Sequence, residues 1–415
     1  PSDRLHYWRL FEFYFVFSRG RLPDRITMLK FRPSKSAPAI NLKLFLRKTS
    51  SFKYSDLSVT ATKNPRKKPE GSLGFGKFMT DHMLTIPWSA SHGWGTPKIE
   101  EYAPLKMLPA VKALHYATSA FEGMKTVKGV DNRCRLFRPE LHLERFRGSA
   151  SRVCLPDFDT AELLECIKML IRTDESWVPS GKGEALYIRP FIFGCDSALG
   201  VDISTEALLC TILSPVGDYF SSKKKGSRLF ADPSYVRSWE GGCGQFKLAA
   251  NYAPTLVLQK LLRERGYDTS LWLYGPDELI TEAGTMNIFV FWTNEQGEKE
   301  LRTPPLSGLI LPGVTRQSVL EITRSWNEFK VVEKDITMSM LLNALKENRL
   351  HHMFGTGTAC VVSPVMELYY KNNRYSIPFT EDPSSLPERI LKEYTDIQRA
   401  VNGPHPWAHP IDKPR

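Results

Sequence analysis

The stretch SPVGDYFSSKKKG, residues 214–226, divides the chain. Ahead of it lie two apolar runs, residues 185–193 and 207–213, bounded by turn residues and short enough to be buried strands. Behind it the texture changes to short strand patterns over 271–274, 287–292 and 300–303, joined by turns such as Asn294-Glu295-Gln296-Gly297. A chain of 415 residues exceeds one ordinary hydrophobic core. The break therefore reads as a linker, 216–226, between a small α+β domain over 70–215 and a larger domain over 227–415. Helices are expected over 139–151 and 160–172 in the first part, the second of these setting Leu163, Leu164, Ile167 and Leu170 on one face. Four more are expected over 254–265, 315–326, 338–347 and 386–400, giving a helix-decorated β domain.

Charge narrows the function classes once it is located. The net charge is +11, yet residues 1–69 hold 16 Lys and Arg against 4 Asp and Glu, and the rest hold 40 against 41. The body is neutral, which argues against a basic groove for nucleic acid. From Met28 to Lys68 the extension carries eleven basic residues, one acid (Asp56) and many hydroxyls, the composition of a mitochondrial transit peptide. The expected location is the mitochondrial matrix, or the cytoplasm if this segment does not act as a leader. Residues 1–27 precede the first methionine, and their aromatic run Phe11–Phe17 is too short and too interrupted by charge to span a bilayer. Residues 1–69 are accordingly expected to be disordered, with order beginning near Gly74. Seven cysteines, at 134, 154, 166, 195, 210, 243 and 360, form no CxxC pair and no zinc spacing, so reduced thiols and no metal are expected.

GGCGQFKLAANYA, residues 241–253, sets Lys247 behind three glycines and ahead of apolar helix-forming residues, surroundings that a solvated surface lysine does not need. Downstream, ITEAGTMNIFVF places Glu282 at the end of a strand, LPGVTRQSVLEI places Gly313, Val314 and Thr315 at the start of a helix, and MFGTGTACVV places Thr356 to Thr358 among glycines. Glycine- and threonine-rich turns, one at a helix N-terminus, present backbone N–H groups to a dianion. A lysine, a carboxylate and two anion cradles are the parts that a pyridoxal phosphate site uses.

These motifs resemble a family. LHYATSAFEGMK, RLFRPELHLERFRGSASR, ALYIRP, ILSPVGDYF, YVRSWEGGCGQFKLAANY, WLYGPDELITEAGTMNIF, TPPLSGLILPGVTR and FGTGTACVVSPV occur in one order and resemble the branched-chain amino acid aminotransferases of the animal kind, fold type IV pyridoxal phosphate enzymes. The resemblance covers roughly 340 residues from Gly74 on. It implies a small α/β N-terminal domain and a larger β-barrel-like C-terminal domain with helices. It implies a ping-pong exchange of an amino group between leucine, isoleucine or valine and 2-oxoglutarate, giving glutamate, with pyridoxal 5'-phosphate as cofactor and a homodimer as the assembly. D-amino-acid transaminases and aminodeoxychorismate lyases share the fold, and the long animal-type motifs argue against both.

Carried over residue by residue, the resemblance makes Lys247 the Schiff-base lysine and proton shuttle, and Glu282 the partner of the pyridine nitrogen. Arg145 becomes the phosphate arginine, with Arg147 and Arg152 close by in sequence. Tyr252 would bond the phenolic oxygen. Thr285, Val314, Thr315 and Thr358 complete the cofactor contacts, with Arg237 a weaker member. An aromatic substrate box is implied from Tyr116, Phe121, Tyr187, Tyr219 and Tyr252, with Arg189 and the Thr358-Ala359 backbone for substrate carboxylates. One departure stands out. Mammalian members carry a CxxC pair after GTA, where this chain has Cys360-Val361-Val362-Ser363.

Overall fold

The computed structural model describes residues 51–181, 183–217 and 226–412. Their strands form two sheets. In the first, Glu206–Val216 lies antiparallel between Ala185–Gly194 and His82–Ser89. Lys98–Glu101 and Ser58–Val59 extend one side; Met124–Lys128, Cys134–Phe137 and the C-terminal Ala408–Pro410 extend the other. The short helix α1 (Lys112–Tyr116) precedes the strand Ser119–Phe121. Helices α2 (Pro139–Arg152) and α3 (Thr160–Thr173) bury Leu143, Phe146, Leu163, Ile167 and Leu170 in one core with Leu84, Ile86, Leu186, Ile188 and Leu209 of the sheet. Asp159 starts α3 by accepting from the N–H groups of Ala161 and Glu162, an N-cap worth about 1 kcal/mol.

In the second sheet six strands close into a ring. Its order is Leu279–Ala283, Thr269–Tyr274, Ser227–Ala231, Val361–Tyr370, Leu350–Gly357 and Met286–Thr293, which pairs back to the first. Period-two alternation along Met286–Thr293 divides its side chains. Met286, Ile288, Val290 and Trp292 join the cluster that contains Met338 and Leu341. Phe289 and Phe291 join the cluster that contains Val319, Leu386 and Tyr394. Four helices serve this half: α4 (Leu256–Glu264), α5 (Val314–Trp326), α6 (Met338–Lys346) and α7 (Leu386–Arg399). The periodicity placed α2 to α7 within a few residues of their observed bounds.

The boundary drawn at residue 69 needs correction. Phe52 is buried, with its ring edge-on to Trp94 at 5.2 Å between centroids. The Tyr54 N–H donates to a Glu162 carboxylate oxygen at 2.7 Å, and Ser58–Val59 pairs in parallel with Lys98–Glu101. Residues 51–59 are thus part of the first sheet and its core, not a disordered tail. The basic composition around them concealed this attachment, in which Phe52 is buried and Tyr54 and Leu57 pack against the same core. The transit-peptide reading of 28–50 lies outside the described residues, as does most of the 216–226 linker.

Candidate active site

Lys247 is fixed by its backbone before its side chain does anything. Its N–H donates to Ser149 Oγ of α2 at 2.9 Å, and its carbonyl accepts from the Phe121 N–H at 3.1 Å. The glycines ahead of it serve packing as well as turning. Gly241 has φ +76°, and a Cβ on Gly244 would lie 2.7 Å from the Leu309 carbonyl oxygen. The side chain then reaches into a cavity of about 430 Å³. Its Nζ donates to the Tyr252 hydroxyl at 3.1 Å and lies 4.7 Å from the centroid of the Phe121 ring.

Glu282, at the end of Leu279–Ala283, is buried in the same cavity wall. One carboxylate oxygen accepts from the Leu311 N–H at 2.9 Å and Asn287 Nδ2 at 3.1 Å; the other meets Arg237 Nε at 2.9 Å. Burial pushes this carboxyl above its ordinary range, and Arg237 pulls the other way. A cation arriving on the cavity side would further favour the ionised form. Arg237 itself does not line the cavity; it stands behind Glu282, so its expected cofactor contact becomes a supporting one.

Arg145 projects from α2. Its Nε and Nη2 form a fork on the Glu122 carboxylate at 2.8 and 2.6 Å, and Nη1 donates to the Pro312 carbonyl at 2.9 Å. Glu122 is fully buried, which works against its charge, but Arg145 and His142 outweigh burial and hold it well below the usual carboxylate range. Sequence reasoning missed Glu122. It stands in the quoted FEG stretch, but no spacing rule pairs it with an arginine 23 residues on.

The α5 N-terminus supplies Val314 and Thr315 to the cavity, with Gly313 as its cap. A Cβ at Gly313 would fall 2.0 Å from Asn287 Oδ1, so this approach admits only glycine. Thr285, Thr356, Gly357, Thr358 and Ala359 line the adjoining wall, and Gly355 to Gly357 end a strand rather than sit in the turn. Phe121, Tyr187 and Arg189 close the opposite side with Phe75, while Met286 and Asn287 stand on the wall with Thr285 and Thr356; the sequence did not single out Phe75, Met286 or Asn287. The Arg189 guanidinium donates to the Tyr187 hydroxyl at 3.1 Å and stands 4.8 Å from the Phe121 ring centroid. Among the described residues its buried Nε has no partner.

Two expected site residues are not brought here. Tyr116 ends α1, is 38% exposed, donates its hydroxyl to the Leu199 carbonyl, and does not line the cavity. Tyr219 lies outside the described residues. Cys360 lines the cavity with its thiol pushed up to about 12 by burial, and its Sγ sits 3.3 Å from Met286 Sδ. Ser363, where a second thiol would stand, is buried and shares a hydrogen bond of 2.8 Å with Ser227 Oγ. A second hollow of about 570 Å³, beside Trp88 and Leu108, contains none of the expected site residues.

Sequence comparison agrees with this geometry. Residues 119–368 match the family of class IV amino-transferases. A branched-chain-amino-acid aminotransferase of Bos taurus, described as mitochondrial, is 50% identical over 366 residues, 88% of this chain and 93% of its own length. The chain belongs to the branched-chain-amino-acid aminotransferases. A Rattus norvegicus member described as cytosolic is 49% identical over 350 residues, 84% of this chain and 85% of its own. A solved branched-chain amino acid aminotransferase from Thermobaculum terrenum, in its PLP-form, shares the fold with a TM-score of 0.61 and 17% identity. It covers 80% of this chain and 99% of its own. The chain therefore has the fold of the type IV aminotransferases, with a closed ring of strands.

Proposed function

We propose that this chain moves the amino group of leucine, isoleucine or valine onto 2-oxoglutarate, using pyridoxal 5'-phosphate held in the 430 Å³ cavity. The observation that carries the reading is the convergence of Lys247 Nζ, buried Glu282 and the α5 N-terminus on one cavity in a chain of this family. The residues fit the cofactor. Thr356 Oγ1 is buried without a partner among the described residues, on the wall next to the α5 N-terminus, as a phosphate acceptor would require. The cofactor supplies an electron sink for the negative charge left when the substrate's α-proton departs.

The chain's own groups do the rest. Lys247 would hold the cofactor covalently through Nζ, and its amine would take the substrate's α-proton and return it. Tyr252, hydrogen-bonded to that nitrogen, orients it. The buried Glu282 carboxylate would favour a proton on the cofactor's ring nitrogen, and that cation would in turn favour its ionised form. Arg145, Val314, Thr315 and Thr358 would hold the phosphate, Thr285 would complete the cofactor contacts, and Arg237 supports Glu282. Phe121, Tyr187 and Phe75 exclude water around a branched aliphatic chain. Arg189, its charge covered by the Phe121 and Tyr187 rings, serves the distal carboxylate of glutamate, and the Thr358-Ala359 backbone serves the α-carboxylate.

The parts of the chain before and after the 216–226 linker act as two domains lining one cavity, with Ala408–Pro410 returning to the first sheet. A homodimer fits the exposed apolar set Leu114, Tyr116, Leu199 and Val201, and Tyr116 and Tyr219 would belong to the completed substrate box. Sedimentation at a monomer's mass would refute the dimer. Matrix localisation rests on the basic extension and the mitochondrial relatives; a reporter fused to residues 28–69 that stays cytosolic would refute it. The reaction is tested by supplying purified protein with leucine and 2-oxoglutarate. Glutamate should accumulate with the parallel double-reciprocal lines of a ping-pong exchange, and no transfer from any branched-chain amino acid would overturn the reading.

A further inference from the structure

Lys125 stands on Met124–Lys128, opposite Tyr187 of the neighbouring strand, and is buried. An ammonium in that position needs compensation. Its Nζ donates to the Ala359 carbonyl at 2.6 Å. Ala359 is the middle residue of Thr358–Cys360, the turn joining Leu350–Gly357 to Val361–Tyr370, and all three turn residues line the cavity. The turn is not relaxed. Val361 follows it at φ +62°, a left-handed conformation that a β-branched side chain adopts only when its surroundings impose it. The hairpin register, Gly357 opposite Val361, leaves these three residues to close the loop.

None of the N–H groups of Thr358, Ala359 and Cys360 donates to a backbone carbonyl among the described residues. A trans peptide unit points its carbonyl and its N–H in opposite directions. Anchoring the Ala359 oxygen on Lys125 therefore turns the Cys360 N–H away from Lys125. The same contact polarises that peptide unit, which strengthens its N–H as a donor.

We propose that Lys125 is a positioning residue for substrate recognition: its buried ammonium holds the Thr358–Cys360 turn so that the turn's N–H groups receive the substrate's α-carboxylate. This rests on the transaminase reading above. Because leucine and 2-oxoglutarate both carry an α-carboxylate, both half-reactions depend on Lys125 alike. A residue specific for one side chain would affect only one of them.

The test compares holoenzyme with wild-type Lys125, Lys125→Met and Lys125→Arg. It measures KM and kcat for both substrates, affinity for 4-methylvalerate, and amide hydrogen exchange across 358–361. Lys125→Met should raise both KM values and weaken 4-methylvalerate by about tenfold or more, with kcat less affected, and should speed exchange in the turn. Lys125→Arg, which keeps a donor cation, should recover most of the affinity. Unchanged carboxylate affinity together with unchanged exchange in Lys125→Met would overturn the proposal. A raised KM for leucine alone would overturn it too. If Lys125→Met does not fold, a Lys125→Arg protein without recovered affinity overturns it instead. Failure of the wild type to transaminate or to bind 4-methylvalerate would sink the functional reading, while turn exchange would still report on Lys125.

Discussion

Glu282 shows how little a residue type says before its neighbours are known. In sequence it is one acid at the end of a strand. In the fold it is buried, bonded by Leu311, Asn287 and Arg237, and pushed above its ordinary pKa by burial. Glu282→Gln keeps the shape and the Leu311 contact but removes the charge that would favour a protonated ring nitrogen. We expect kcat to fall by about a hundredfold or more, with cofactor affinity changed less. Equal losses in both, measured by steady-state kinetics and cofactor titration, would argue against this role. Arg145 teaches the converse. Its motif was legible in the α2 stretch, but its fork on Glu122 was not, because a buried ion pair between a strand end and a helix leaves no periodic trace. Tyr116 is expected in the substrate box and does not line this chain's cavity. A resemblance transfers a residue to a site without the distances that would place it there.

At the scale of elements, local patterning was the readable part. α3 follows from its apolar spacing, and α5 from the glycine before it. Closure of six strands into a ring was legible only through the family resemblance and not from local patterning, since it depends on pairings such as Ser227–Ala231 with Val361–Tyr370, more than a hundred residues apart. The segment over 51–59 failed in the opposite direction, with basic residues concealing a docked strand. Its attachment makes a sharp prediction. Phe52→Ala empties a core position against Trp94 and should destabilise the protein by about 3 kcal/mol or more, read as a lowered urea midpoint with an unchanged slope. A midpoint equal to the wild type's would mean that the segment is only laid on the surface.

On the scale of the whole molecule, the cavity draws on both sheets. Phe121, Tyr187 and Arg189 come from the first, Glu282, Asn287 and Thr356 from the second, and Lys247 from the glycine-rich connection after Ser227–Ala231. Neither half alone carries the lysine's surroundings: Ser149 and Phe121 fix its backbone from the first, Tyr252 its amine from the second. That division explains why a pattern spread over some 240 residues points to one site. It also makes Lys247 the position on which the account depends. The most direct test reduces purified holoenzyme with borohydride and maps the peptide that retains the cofactor. The account predicts label on Lys247, within the stretch from Phe246 to Tyr252, and none in Lys247→Ala. Label on any other lysine of the wild type would contradict it.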